Sequence, residues 1–136
     1  MLNTFPNLLT YGFFAPTLLR IAVAATFFYL AMHTWRHQKY TGGIVLPVVG
    51  AQQWMPAFVA LVECALAVMF AVGWHTQIAA LVGVLVAIKY AIYRRFWPGA
   101  GAAYIPLSAS TIALMFVICL SLLISGAGAL AYDLPL

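Results

Sequence analysis

Charge is what this sequence has least of. Asp, Glu, Lys and Arg together make up 6% of its 136 residues, against about 25% in soluble domains. With 66% apolar residues and a mean hydropathy of +1.06, a soluble globular chain is excluded. The length leaves no room for a soluble domain beside a few spans, so one membrane domain is expected over residues 1–136. Acid is scarcer than base, with two acidic residues against six Lys and Arg. Nucleic-acid binders gather their basic residues on a solvated face. Here they flank apolar runs, so bilayer orientation explains them and no nucleic-acid partner is expected. Cysteine occurs only twice, as Cys64 and Cys119, each alone within an apolar run. No CysXXCys pair exists, which argues against a thiol–disulfide redox centre or a structural zinc site; both read as buried small hydrophobes. No Lys or Arg precedes the first apolar segment, so no cleavable signal peptide is expected.

What is present is a series of apolar runs. Residues 1 to 15 are broken by Asn3, Pro6, Asn7 and Gly12 and read as an interfacial segment. Four spans are predicted at about 16–35, 55–74, 78–96 and 105–125, since about 20 residues at 1.5 Å each cross a core of about 30 Å. Pro56 stands where a first-turn proline is tolerated. Between spans one and two, ThrGlyGlyIleValLeuProValValGlyAlaGlnGln is too apolar for a solvated linker and too broken to cross, and it is a candidate lid. HisThrGln alone separates spans two and three, which makes them antiparallel neighbours. The predicted fold is an all-α, antiparallel bundle of four transmembrane helices. Arg36, Lys39, Arg94 and Arg95 all fall on one side, and the opposite loops and termini carry no Lys or Arg. The positive-inside rule makes that side cytoplasmic, with both termini outside.

Two charges lie deep in these runs. Glu63 interrupts AlaLeuValGluCysAlaLeuAla, where a charge at the bilayer centre costs about 2.5 to 3.5 kcal/mol on insertion scales. Arg20 lies in the first span. Arg20 shares a helical face with Ala24, Phe27 and Ala31, and Glu63 shares one with Ala60, Ala67 and Phe70. The small residues permit close approach of the helices. Depth counting puts the two about 10 Å apart along the axis, within reach of an extended arginine. The expectation is a pair lining a pocket for a quinone-like amphiphile, Arg20 donating to a carbonyl oxygen and Glu63 handling a proton. Beside it stand two plainer readings: Arg20 snorkelling to the interface over a hydrogen-bonded core acid, or a structural ion pair. Lys89 reads as snorkelling toward the basic end, or, with Tyr93 one turn on, as the cytoplasmic end of a polar ligand route. His33 and His37 are four residues apart, but no third ligand stands at their depth, and no facing histidines suit a haem. Tyr29, His33 and Arg36 form a separate stripe, read as an interface anchor. Ser108, Thr111, Met115, Cys119 and Gly126 read as a packing seam on span four. Trp35, Trp54, Trp74, Trp97, Tyr93 and Tyr104 read as an aromatic belt.

LeuLeuArgIleAla early in span one, Glu63 in span two, ValGlyTrpHisThrGlnIleAlaAla across the turn, ArgArgPheTrp after span three and GlyAlaGlyAlaLeuAlaTyrAspLeuProLeu at the end occur in one order. Together they resemble the DoxX family of small four-helix membrane proteins. Gln77 departs from the family's pattern, which has a basic residue there. The resemblance implies a bacterial or archaeal cytoplasmic membrane and an association with oxidoreductase chemistry, some relatives being subunits of a thiosulfate:quinone oxidoreductase or anchors for redox enzymes. The expected role is a small membrane subunit of a quinone-linked assembly, with quinone as the possible cofactor and a larger membrane complex as partner. The alternative is an accessory subunit that packs on a larger complex and binds only lipid.

Overall fold

The computed structural model describes residues 14–37, 54–96, 105–126 and 128. Residues 1–13 of the amino-terminal segment, the candidate lid, Lys39, Trp97, Tyr104 and the terminal AlaTyrAspLeuProLeu lie outside the described residues. The rest is all-helical: α1 Ala15–Arg36, α2 Met55–Val72, α3 Thr76–Phe96 and α4 Ala109–Ser125. The first three are long and apolar enough to cross a membrane; α4, with 17 residues, is apolar but shorter.

Local chemistry sets the helix ends. Pro16 and Pro56 sit in the first turns of α1 and α2, where a missing backbone N–H has no intrahelical partner to lose. Gly73 ends α2 in the left-handed region at φ 76°, and its N–H and that of Trp74 both donate to the Met69 carbonyl. Glycine carries no Cβ penalty in that conformation. The turn is therefore Gly73 to His75, two residues upstream of the expected HisThrGln, and Thr76 and Gln77 already belong to α3. The fourth helix starts at Ala109 rather than near Ile105, for two reasons. Pro106 disfavours helical backbone at Ile105, and Ser108 stays extended at ψ 161° while its hydroxyl accepts the Thr111 N–H at 3.2 Å. That is a serine N-cap.

The helices close into a bundle in which α1 packs mainly on α2 and α3 mainly on α4, with smaller α1–α4 and α2–α3 contacts. Phe27 and Phe70, both fully buried, stack at 5.7 Å across α1 and α2. On α3 the buried stripe is Thr76, Ala79, Ala80, Gly83, Ala87 and Tyr90, mostly small. A Cβ on Gly83 would lie 2.9 Å from Cys119 Sγ and 3.5 Å from the Phe27 ring, so glycine lets α3 meet α1 and α4 together. Met115 and Cys119 do lie on the packed seam of α4, alongside Ile112 and Leu122. Cys64, by contrast, is exposed; one residue after Glu63 it is turned about 100° from the buried face.

The polarity of the bundle is inverted. Leu18, Phe28, Leu61, Val68, Leu85 and Ile124 are each more than half exposed, whereas Arg20 and Glu63 are only 2% and 1% exposed. An apolar exterior this extensive around a charged interior suits a lipid solvent. Trp35, Trp54 and Trp74 stand exposed at helix ends.

Candidate functional site

Glu63 lies in the middle of α2 because Ala60, Ala67 and Phe70 on the same face are buried and carry it inward. Its carboxylate joins three helices. The Thr34 hydroxyl from the last turn of α1 donates to Oε2 at 3.2 Å, and the Tyr90 hydroxyl from α3 donates to Oε1. Tyr90 is itself 1% exposed. Beside it, the half-buried Lys89 places Nζ 4.2 Å from the centroid of the Tyr90 ring, a cation–π contact. The Lys89 ammonium also interacts electrostatically with Glu63. A carboxylate with hydroxyl donors on both oxygens and a cation nearby has much of its lost hydration replaced.

The expected pairing of Glu63 with Arg20 is not what the structure builds. Arg20 and Thr34 are 14 residues apart on α1, about 21 Å at 1.5 Å per residue, and Glu63 is bonded to Thr34. Arg20 does share a buried face with Ala24, Phe27 and Ala31, so the face was read correctly and the depth was not. Glu63 meets α1 near its basic end, whereas counting from the Gly73 end had placed it close to Arg20's level. Arg20 lies one turn beyond Pro16 and Thr17, where a Cβ on Gly128 would come within 2.7 Å of Pro16 Cβ. Its surroundings are thus at the opposite end of α1.

Lys89 and Tyr93, expected to line one route, are both half-buried on α3, but the ring that Lys89 lies against is that of Tyr90. Thr34 and Tyr90 are the site residues that sequence reasoning missed. The signal for Thr34 was present, since the Arg20, Ala24, Phe27, Ala31 stripe continues to it. Tyr90 received no reading, although it stands next to Lys89 and one turn before Tyr93. His33 and His37 stack on each other with ring centroids 4.3 Å apart, and His37 Nδ1 lies 2.9 Å from the His33 carbonyl oxygen. Among the described residues, no three of His, Cys, Asp and Glu come together as a metal-ligand set.

No family model matches the chain, and no curated protein or solved structure matches it either.

Proposed function

We propose that this chain is a small subunit of a bacterial or archaeal cytoplasmic membrane, an antiparallel bundle of four spans that binds a quinone-like amphiphile for a redox assembly. The observation that carries the reading is the Glu63, Thr34, Tyr90 and Lys89 network inside an otherwise apolar bundle. Ionisable groups at membrane depth are costly and gather where protons or polar head groups are handled. A carboxylate, a phenol and an ammonium at one level could exchange hydrogen bonds with a quinone carbonyl, with Tyr93 one turn from Lys89 continuing the same face. The three-residue turn between α2 and α3 supports their antiparallel course, and Arg36, Arg94 and Arg95 support a cytoplasmic basic end. The resemblance to DoxX proteins leads to the same assignment, including a thiosulfate:quinone oxidoreductase-like assembly as the class of partner. In this arrangement Arg20 belongs to the outer level and takes no part in the Glu63 site.

The test is purification from native membranes followed by solvent extraction and identification of co-purifying lipids and proteins. Stoichiometric quinone, lost in a folded Glu63→Gln variant, is the expected result. Quinone content unchanged by that variant would remove Glu63 from the site.

A second reading is favoured by a specific observation. Both Glu63 oxygens already have protein donors and the side chain is 1% exposed, which suits a clamp that fixes three helices while the apolar exterior packs on a larger complex. A stoichiometric large partner without quinone would select this accessory role.

A further inference from the structure

A groove of about 550 Å³ runs between α3 and α4 on the outer surface of the bundle. Four alanines line it, Ala87 and Ala91 on α3 and Ala109 and Ala113 at the start of α4, together with larger side chains such as Ile92 and Phe116. Short side chains on both helices leave a channel that the neighbouring residues do not fill. At one end stand Arg94 and Arg95, both exposed and both lining the groove. Arg94 is held in place, because its Nη1 donates to the Leu107 carbonyl at 2.7 Å, just before α4 begins. That bond uses one of the five guanidinium N–H donors. The α4 amino terminus, with its partial positive charge, opens at the same end.

We propose that this groove seats one acyl chain of an anionic phospholipid, with the phosphate held by Arg94 and Arg95. The inference rests on the membrane reading above but not on quinone binding. Length fits the occupant: from Arg95 to Ala87 on α3, and from Ala109 to Val117 on α4, the lining extends eight residues, about 12 Å. That is close to the half-thickness of a hydrocarbon core of about 30 Å, so a lipid with its phosphate level with the arginines lays most of one chain along the groove. Charge selects the head group. Two adjacent guanidiniums beside a helix amino terminus favour a phosphate with net negative charge over a zwitterionic head group, whose own cation opposes them.

The experiment uses the full chain in nanodiscs of equal phosphatidylglycerol and phosphatidylcholine, with retained lipids counted by native mass spectrometry after mild detergent release. Retention of phosphatidylglycerol is expected to exceed that of phosphatidylcholine by about fivefold or more for each arginine engaged. Arg95→Ala, which leaves the Arg94 to Leu107 bond in place, is expected to lower that preference about fivefold. Ala113→Trp is expected to reduce lipid retention with both arginines intact. Equal retention of the two lipids by the wild type overturns the proposal, as does an unchanged preference in Arg95→Ala or unchanged retention in Ala113→Trp. A sodium carbonate wash separates the two levels of inference. A chain that leaves the membrane overturns the membrane reading itself, whereas one that stays and shows no lipid preference overturns only the groove.

Discussion

The interior holds two charged levels, and they are built differently. At the basic end Glu63 is cross-linked to α1 and α3 through hydroxyls, and Lys89 of α3 lies over the ring of Tyr90, one of its donors. About 21 Å away along α1, Arg20 is buried to the same degree one turn from Pro16 and Thr17. Between them lies an apolar layer: Phe27, halfway along α1 from Arg20 to Thr34, stacks on Phe70, and Gly83 meets Cys119 beside it. Burial alone does not make two opposite charges partners. Height along the helix decides whether they meet, and here a packed apolar layer keeps them apart.

The largest effect is expected at the Glu63 level. Glu63→Leu leaves the Thr34 and Tyr90 hydroxyls without their acceptor, at about 1 to 3 kcal/mol for each stranded group, so a loss of about 3 kcal/mol should appear in detergent unfolding. A loss below about 0.5 kcal/mol, the range of an ordinary surface substitution, would show that the clamp does not hold the helices together. The separating layer comes next. Gly83→Ala forces a Cβ to within 2.9 Å of Cys119 Sγ, an overpacking expected to cost about 1 to 2 kcal/mol. Adding Cys119→Ala should recover most of that stability; a double variant no better than Gly83→Ala would place the strain elsewhere.

Removing a single donor is milder. Tyr90→Phe should cost about 1 kcal/mol, and its effect should shrink when Glu63 is already Leu, because the bond is shared. Additive losses in that cycle would mean that the two side chains act independently. Smallest of all is the coupling between the levels. Glu63→Gln and Arg20→Gln should add to within about 0.5 kcal/mol, as for groups separated by more than about 10 Å. A larger coupling energy would break the two-level picture and restore the direct pair.

Much of the architecture was legible because helical periodicity and hydrophobic runs are local properties. Ala24, Phe27 and Ala31 turn inward with Arg20, and Ala60, Ala67 and Phe70 with Glu63, as their spacing implied. Helix ends were legible only in part. The positive φ at Gly73 and the cap made by Ser108 moved two boundaries, since several neighbouring residues could have stopped each helix. The candidate site was half legible: Glu63 announced itself as a carboxylate in an apolar run, but its partners belong to other helices and their heights depend on how those helices slide past one another.

By itself the sequence determined four apolar helices, their inward faces and the presence of a buried carboxylate, because each follows from composition and a period of 3.6 residues. Only the tertiary structure decided that Glu63 bonds to Thr34 and Tyr90 rather than to Arg20, and that α3 and α4 leave a groove beside two arginines. The physical reason is axial register. A helix presents the same face at every height, so periodicity fixes which side chains turn inward, while side-chain packing such as that of Gly83 against Cys119 and Phe27 sets the level at which they meet.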